Sequence, residues 1–344
     1  MPWSPSPGGS LLAVDLGTSR TRVRGTEKLL FEGASAIAVD TSNHKVVAIG
    51  DHALRMVGRT PPAIEAIAPV SRGVITHFDA ATRLLWYAMG GGRRRIRRAW
   101  MAPRVVMGVP ARATPVQRRA AEESLAQAGA RAVHLLPKGA LAAIGAGLPV
   151  RETTGSLVVD IGAGTTEVAA LAFGTVLATE STNAAGDAFS ATLGRHLLRE
   201  HSVALSPEAA KAAKVALSRA AKGADGEQRL RVGGRDRVTD LPKTALLTPS
   251  ELRSVVEPEI ESIAAAVSLV LGRCPTAVVD DITARGLVLT GGGSLLNGLP
   301  ERLGKAVEMV VHHAVSPRTS VADGATRWLT DFAPGERQQM LSAL

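Results

Sequence analysis

Two segments of this sequence, about 145 residues apart, share a pattern that few folds accommodate. Residues 11–23 and residues 157–169 each begin with an apolar run ending in Asp, pass through a turn of Gly and Thr, and enter a second strand-like run. This pattern predicts a β-hairpin, and apolar runs without alternation are typical of strands buried on both faces. The repetition predicts two homologous lobes, each starting with the same hairpin.

Between and after these hairpins, strand and helix patterns alternate, which predicts an α/β fold. We expect strands at 104–110 and 132–136 and, after the second hairpin, a strand at 285–290 that leads into a glycine turn and a helix. The predicted helices cover 115–129, 139–147, 186–200, 207–221 and 249–273, with an exposed hairpin at 222–245, a short strand around 308–315, a last helix opened near Asp323 and a terminal helix or tail at 332–344.

Length and composition exclude several classes of protein. A chain of 344 residues suits two lobes or several subdomains. It has no apolar run of the roughly 18–20 residues that a membrane span needs, and residues 1–10 are expected to be a disordered leader, since they lack the pattern of a signal peptide. The single cysteine, Cys274, fits a reducing compartment, so we expect a cytoplasmic protein. A net charge of +9 indicates either an anionic partner or a general compositional bias toward arginine.

The three glycine turns carry residues suited to binding a phosphate chain. Glycine lets backbone N–H groups approach a phosphate closely, and threonine adds hydroxyl donors. Asp15 and Asp160 end their strands beside the two hairpin turns, and two carboxylates facing across a cleft are suited to holding Mg²⁺ through its water shell. A glycine run between strand and helix would present a flat backbone surface to a nucleotide. The residues concerned are Gly17, Thr18, Gly162, Gly164, Thr165, Thr166, Gly291, Gly292, Gly293 and Ser294.

The order and spacing of these turns resemble the actin, Hsp70 and sugar-kinase superfamily. Residues 15–21 and 160–167 resemble its two phosphate loops, and residues 290–296 resemble its adenosine loop. Within the superfamily, the runs at 143–150 and 281–296 are most similar to the MreB/Mbl family of bacterial actins, and the resemblance covers nearly the whole chain. The other two branches of the superfamily are disfavoured, because a sugar kinase usually has a larger first lobe and an Hsp70 needs a further domain after this fold.

The resemblance implies an actin-like (ribonuclease H-like) fold with a nucleotide cleft between two lobes, each with a small subdomain. It implies large subdomains at 11–31, 76–148 and 316–344 and at 149–182 and 248–315, and small ones at 32–75 and 183–247. ATP and Mg²⁺ are the implied cofactors, with Mg²⁺ held by Asp15 and Asp160. The implied nucleotide-binding residues are Asp15, Gly17, Thr18, Ser19, Arg20, Asp160, Gly162, Gly164, Thr165, Thr166, Lys214, Gly291, Gly292, Gly293 and Ser294.

The function that the resemblance implies is cytoskeletal. Proteins of this family bind ATP, assemble into filaments of their own subunits on the inner face of the cell membrane, and organise cell-wall synthesis and cell shape. Their expected partners are cell-wall synthesis and morphogenesis proteins. We therefore predict a cytoplasmic actin-like filament protein.

The sequence departs from the family where the family carries Glu-Glu-Pro, whose second Glu is taken to position the attacking water. The matching residues here are Pro137, Lys138 and Gly139. Because a lysine at neutral pH is only a donor, it is not able to activate water as a carboxylate does, and we predict weak or absent ATPase activity. Lys138 is expected to pair with the γ-phosphate instead. Two alternatives stay open: a neighbouring residue supplies the catalytic role, or the protein is a small-molecule kinase.

Two smaller departures fall in the predicted site. Lys211 stands where the family has an acid that contacts the ribose and base, although Lys214 is kept, so nucleotide affinity is expected to be weaker or altered. Ala163 replaces a usual glycine in the second phosphate loop, which matters little if its φ is negative.

An arginine cluster follows a triple glycine at 90–92. Arginines near an anionic bilayer each contribute about 1 kcal/mol, and a tryptophan can lie at the interface. We predict a membrane contact, with a solvated basic loop as the alternative and nucleic acid disfavoured, because no nucleic-acid motif accompanies the cluster. The cluster comprises Arg93, Arg94, Arg95, Arg97, Arg98 and Trp100.

Overall fold

A computed structural model describes residues 10–91, 102–220 and 229–342 of the chain. The strands among them are β1 (Leu11–Leu16), β2 (Arg20–Gly25), β3 (Leu29–Ala34), β4 (Ile37–Asp40), β5 (Val46–Ile49), β6 (Ile64–Ile67), β7 (Val70–Ser71), β8 (Val74–Ile75), β9 (Arg104–Val109), β10 (Ala132–Pro137), β11 (Ser156–Ile161), β12 (Thr166–Ala172), β13 (Thr175–Thr182), β14 (Val203–Ala204), β15 (Leu230–Asp236), β16 (Pro242–Leu247), β17 (Leu287–Thr290) and β18 (Val311–His313).

The helices of the described ranges alternate with these strands. They are α1 (Asp51–Leu54), α2 (Phe78–Ala88), α3 (Pro115–Gln127), α4 (Lys138–Gly145), α5 (Gly186–His201), α6 (Pro207–Ala220), α7 (Pro249–Val255), α8 (Glu257–Leu271), α9 (Thr276–Arg285), α10 (Leu299–Val307), α11 (Ser320–Asp331) and α12 (Pro334–Ser342). None of them is both long enough and apolar enough to span a membrane.

Two five-stranded sheets have the same strand order, which confirms the predicted internal repeat. The first runs β10-β9-β1-β2-β3 and the second runs β18-β17-β11-β12-β13. In each sheet the hairpin that begins the lobe is antiparallel. One later strand pairs in parallel with its first strand, and the outermost strand pairs in parallel with that later strand. Because both lobes follow one path, β1 and β11 occupy equivalent central positions, and the turns after them lie at equivalent edges.

Helices α4 and α11 pack between the two sheets and form a shared core. This core includes buried residues of both sheets, such as Val106 and Val158, and the fully buried indole of Trp328. The two helices approach closely because Gly145 and Gly324 face each other. A Cβ on Gly145 would lie 2.8 Å from the Gly324 nitrogen and would overlap the Ser320 carbonyl oxygen. The small-residue helix predicted from the sequence therefore lies where the two lobes meet.

Smaller sheets flank the two large ones. Strands β5-β4-β6 form one of them, and β14-β15-β16 form the other, beside α5, α6 and α7. The first falls in the range 32–75 and the second lies in 183–247. The boundaries of the four subdomains themselves stay a prediction.

The structure corrects the predicted helix at 249–273, which is two helices. Helix α7 ends at Val255 and α8 begins at Glu257, with Val256 between them at φ −90° and ψ 4°. Pro258 explains the break, because proline has no N–H and its ring clashes with the carbonyl four residues earlier. Three other boundaries differ: the strand expected at 308–315 is only Val311–His313, α11 begins at Ser320 ahead of Asp323, and the 291–293 turn enters a short 3₁₀ helix, Gly293–Leu295.

Candidate functional site

A cavity of about 580 Å³ lies between the two lobes, where the three predicted turns converge. Its wall includes the turn after β1, the turn after β11 and the glycine turn after β17, together with residues of α5 and α6. Its volume falls within the range of roughly 300–1,000 Å³ that is usual for small-molecule sites. The convergence follows from the sheet topology, since β1 and β11 end at the cleft and β17 lies beside β11.

The turn after β1 is tied to its surroundings on both sides of the cleft. The Gly17 N–H donates to the Arg20 carbonyl at 3.0 Å, which closes the hairpin. The Thr18 hydroxyl accepts from the Gly73 N–H at 2.9 Å, and the Ser19 hydroxyl accepts from Lys211 Nζ, in the other lobe, at 2.6 Å. The Arg20 guanidinium lines the cavity but donates to Asp51 at 3.1 Å.

The turn after β11 lies against the first lobe. The Gly162 N–H donates to the Thr165 carbonyl at 2.9 Å, as in the equivalent turn of the first hairpin. Gly164 is required by close packing, because a Cβ there would lie 2.9 Å from Arg72 Cα and would overlap the Thr18 hydroxyl. Gly162, Ala163, Gly164 and Thr165 all line the cavity.

The third turn, after β17, presents backbone to the cavity. Gly291 has φ +82°, a conformation that favours glycine, and its N–H donates to the Pro317 carbonyl at 2.7 Å. A Cβ on Gly293 would lie 2.5 Å from Ile161 Cγ2, whereas a Cβ on Gly292 would meet no protein atom within 4 Å. Gly292 is therefore the position at which a methyl group could be added to this wall without disturbing the protein.

Two of the residues expected to bind nucleotide do not face the cavity. The Thr166 side chain is fully buried and donates to the Ala184 carbonyl at 2.6 Å. The Ser294 side chain is also fully buried and donates to the Gly291 carbonyl at 2.8 Å. Both hydroxyls stabilise the turns through hydrogen bonds to backbone carbonyls and do not line the cavity. We therefore correct the prediction that these two side chains face the nucleotide.

Lys138 lines the cavity and lies beside Asp15, and its pairing with a phosphate stays a prediction. Its Nζ donates to Asp15 Oδ1 at 3.2 Å and to the Leu16 carbonyl at 3.2 Å, and its side chain is 8% exposed. Arg22 Nη1 lies 3.9 Å from Asp15 Oδ2, while its Nη2 lies 2.9 Å from Glu32. Each oxygen of the Asp15 carboxylate thus has a cationic group nearby.

Asp160, the equivalent acid of the second lobe, is buried and accepts a hydrogen bond from the Thr290 hydroxyl at 2.8 Å. Burial raises the pKa of Asp160 to about 6, and the nearby charge of Asp15 adds to the rise, while the Thr290 bond and the charge of Lys138 oppose it. The two carboxylates predicted to hold Mg²⁺ are therefore close together, but one is already paired with an ammonium group.

This arrangement fits a hydrated Mg²⁺ ion poorly. Mg²⁺ binds carboxylates through its water shell and needs acceptors that are free to receive those waters. A divalent cation at Asp15 would lie next to the Lys138 ammonium, and like charges oppose each other most strongly in a buried site. We therefore assign no role to Mg²⁺ at these two residues.

Residues on α5 and α6 complete the far side of the cavity. The Lys214 ammonium donates to the Gly186 carbonyl and lies 6.0 Å from the centre of the Phe189 ring. Burial lowers the pKa of Lys214 to about 8, opposed by the charge of Asp187 and assisted by that of Lys211. Burial also raises the pKa of Asp187.

Several charged residues of the wall were not predicted from the sequence. Arg22 alternates with Arg20 along β2, and Asp187 lies in the first turn of α5, where an acidic residue is common and thus carries no signal by itself. The missed charged residues are Arg22, Glu32, Asp187, Arg219 and Arg318. The predicted membrane residues, Arg93, Arg94, Arg95, Arg97, Arg98 and Trp100, lie outside the described residues.

The two lobes share one strand order, and three glycine turns line the cleft between them. The protein therefore has an actin-like fold. Solved structures agree. MreB 5 of Spiroplasma citri bound to AMPPNP is similar with a TM-score of 0.85 and 25% sequence identity, over 94% of this chain and 96% of that chain. The MamK double helical filament is similar in fold, with a TM-score of 0.75 and 20% identity, over 95% of this chain and 100% of that chain.

The family follows from sequence. A family model described as MreB/Mbl protein matches residues 9–336. The chain is 37% identical over 325 residues to the cell shape-determining protein MreB of Escherichia coli K12, which covers 92% of each chain. It is 32% identical over 314 residues to the cell shape-determining protein Mbl of Bacillus subtilis 168, which covers 91% of this chain and 93% of the relative. The chain belongs to the MreB/Mbl family.

Proposed function

We propose that this protein is an actin-like cytoskeletal protein that binds ATP in the cleft and assembles into filaments. The observation that carries the nucleotide proposal is the convergence of the three glycine turns on one cavity. The MreB 5 structure, which is similar over nearly the whole chain, holds AMPPNP, an ATP analogue. Its curated relatives are cell shape-determining proteins, which supports a role in organising cell-wall synthesis and cell shape.

In this proposal the phosphate chain lies against the two hairpin turns and the adenosine lies against the third turn. Backbone N–H groups of the hairpin turns and the side chains of Thr18 and Thr165 are available to the phosphates. The wall near the third turn combines the flat Gly291–Gly293 backbone with apolar groups of Val215 and Leu296, which suits the face of a purine.

The test of nucleotide binding uses Gly292→Ala. Because the added methyl meets no protein atom within 4 Å, folding is expected to be unaffected, and the methyl is expected to occupy space that the nucleotide uses. We expect at least a tenfold weaker affinity for ATP in calorimetric titration, with an unchanged melting temperature. The matched control is Gly335→Ala in α12, where the methyl also meets no protein atom within 4 Å. Equal ATP affinity in wild type and Gly292→Ala would contradict the proposal.

A hydrolysis-deficient scaffold is the second candidate, and the position of Lys138 favours it. The residue that stands where the family has its catalytic Glu is an ammonium held by Asp15 and the Leu16 carbonyl, so it is not able to orient a water for attack. We expect the wild type to sediment as filaments with ATP while releasing little phosphate. Appreciable phosphate release by the wild type, abolished in Asp160→Ala, would refute this candidate.

The filaments are proposed to lie in the cytoplasm at the inner face of the cell membrane, with cell-wall synthesis and morphogenesis proteins as partners. The net charge of +9 and the arginine cluster at 93–98 support an anionic membrane as one contact. Sedimentation with anionic liposomes, compared between the wild type and a variant with the five arginines neutralised, tests this. Equal sedimentation of the two proteins would remove the arginine cluster from the proposal.

A further inference from the structure

We infer that the cleft binds its nucleotide without a divalent cation, because the Lys138 ammonium already serves as the counter-cation beside Asp15. This inference rests on the proposed function and concerns the cofactor that the nucleotide brings with it. The first observation is the pairing of Lys138 Nζ with Asp15 Oδ1 and the Leu16 carbonyl, each at 3.2 Å. These are the kinds of acceptor, a carboxylate and a carbonyl, that a hydrated magnesium ion would otherwise use.

The ammonium is held in place by packing as well as by its hydrogen bonds. Lys138 is the first residue of α4, and its stem lies against Gly108 on β9, where an added Cβ would come within 3.0 Å of Lys138 Cγ. Only 8% of its side chain is exposed. Because a buried ammonium needs its partners, Lys138 is expected to stay beside Asp15 when a ligand enters, and to keep a divalent cation from that carboxylate.

The charge of the cavity wall agrees with this inference. Seven cationic side chains and four acidic ones line it among the described residues. A free nucleoside triphosphate carries about four negative charges at neutral pH, and magnesium would cancel two of them. A wall with three more cations than acids therefore suits the metal-free polyphosphate, and Lys211, where the family has an acid, contributes to the excess.

The test is calorimetric titration of ATP into the full chain, once with excess Mg²⁺ and once with EDTA. We expect the wild type to bind ATP in EDTA at least as tightly as with Mg²⁺, since the metal has no site to fill and competes for the phosphates in solution. Lys138→Glu, which restores the family's residue type, is expected to bind ATP at least tenfold more tightly with Mg²⁺ than with EDTA, because three carboxylates then face the phosphates.

The outcomes separate this inference from the proposed function. If the wild type binds ATP more tightly with Mg²⁺ than with EDTA, the inference is overturned and nucleotide binding stands. If the wild type binds no ATP in either condition, the proposed function fails and the inference fails with it. Lys138→Met keeps the length of the stem without the charge, and a melting temperature for each variant shows that the comparison is made between folded proteins.

A different observation carries a second proposal, at the junction of α5 and α7. Two imidazoles converge on one carboxylate oxygen: His196 Nε2 lies 2.7 Å and His201 Nε2 lies 3.1 Å from Glu251 Oε1. The three ligand atoms lie within 4.8 Å of one another, and all three residues are partly buried. Within the described ranges, this is the one cluster of at least three His, Cys, Asp or Glu ligands that could hold a metal ion.

We propose that these three residues bind a zinc ion. Zinc takes imidazole nitrogens and carboxylate oxygens at about 2.0–2.2 Å in a tetrahedral arrangement, so its ligand atoms lie about 3.3 Å apart. To reach that value, the separation from Glu251 Oε1 needs to open by about 0.6 Å for His196 and by about 0.2 Å for His201. Partial exposure leaves the fourth position open to water, and the site would join the end of α5 to the first turn of α7.

Titration of the metal-free chain with Zn²⁺ tests the proposal. We expect one ion per chain with a dissociation constant of about 1 µM or tighter, a raised melting temperature, and no such effect of Mg²⁺. His201→Gln and Glu251→Gln are each expected to weaken binding at least tenfold, whereas His312→Gln, an exposed histidine on β18, is expected to leave it unchanged. Zn²⁺ binding that is absent, or that survives both substitutions, would overturn the proposal.

Discussion

Replacing Gly324 by alanine is expected to disturb the junction of the two lobes. Gly324 lies on α11 where this helix crosses α4, and a Cβ there would lie 2.7 Å from the Leu141 carbonyl carbon and 2.9 Å from the Gly145 nitrogen, overlapping the Leu141 carbonyl oxygen. Carbon atoms in contact normally lie about 3.5 Å or more apart, so the helices must separate by about 1 Å. No flexible side chain is available to yield, since the atoms met are backbone.

The magnitude follows from two opposing effects. Overpacking in a core costs about 1–3 kcal/mol, and we expect the upper part of this range because both helices lie in the core shared by the two sheets. Alanine gains about 1 kcal/mol over glycine in a helix. The expected net loss is about 2 kcal/mol, and a second effect is expected on ligand binding, because α4 begins at Lys138.

Thermal and urea denaturation of Gly324→Ala, Gly145→Ala and the double variant measures this directly. The two glycines face each other, so the second substitution is expected to cost much less than the first, once the helices have moved apart. Gly335→Ala, whose methyl enters open space, is the control and should be neutral or slightly stabilising. A Gly324→Ala variant as stable as the wild type, or fully additive losses in the double variant, would refute the reasoning.

Three further predictions concern single residues of the cleft and its surroundings. Burial raises the pKa of Glu167 to about 7. The folded state therefore binds the proton of this carboxyl more tightly than the unfolded state does. The free energy of unfolding is expected to fall by about 3 kcal/mol as pH rises from about 4.5 to about 7. Denaturation midpoints at pH 5 and pH 8 should differ less in Glu167→Gln, and an equal difference would contradict the assignment. Burial lowers the pKa of Lys214 to about 8, so its ammonium loses a proton as pH rises past 8. The affinity for ATP is therefore expected to fall about tenfold between pH 7 and pH 9.5. The affinity of Lys214→Gln should change little over that range. The methyl group of Gly164→Ala would overlap Thr18 and Arg72 of the other lobe, so we expect the cleft to open. ATP binding should be at least tenfold weaker, and the radius of gyration in solution scattering should be larger. An unchanged radius and affinity would contradict this prediction.

The hairpins and their repetition could be predicted because the residues that specify each strand and turn are neighbours in the sequence. An apolar run that ends in Asp before a Gly/Thr turn specifies strand, turn and strand within a dozen residues, and the same signal occurs twice. Equivalent strand order in the two sheets then follows from the repeat. The convergence of the turns was implied by the resemblance to the superfamily, because the repeat alone does not determine how the two lobes pack.

Features that depend on contacts between residues distant in the sequence could not be predicted in this way. Thr166 and Ser294 follow the same glycine turns as the residues of the cavity wall, and only the packed structure shows that their hydroxyls point inward to the Ala184 and Gly291 carbonyls. The partner of Lys138, Asp15, is 123 residues away in the sequence. The pairing of His196 and His201 with Glu251 likewise joins two helices with no local signal.

The departure from the family that we predict at Pro137, Lys138 and Gly139 is structurally consistent as a set, which supports the proposal of a specialised site. Lys138 has an acidic partner and a carbonyl for its ammonium, so its charge is paired in a buried position. Gly139 lies where a Cβ would come within 2.8 Å of Ala169 Cβ on β12, so its lack of a side chain lets α4 approach the second sheet. A position that had merely lost its catalytic residue would carry no requirement for a buried cation or for a close helix–sheet contact. The combination instead fixes a positive charge beside Asp15, at the edge of the cavity where the two hairpin turns meet.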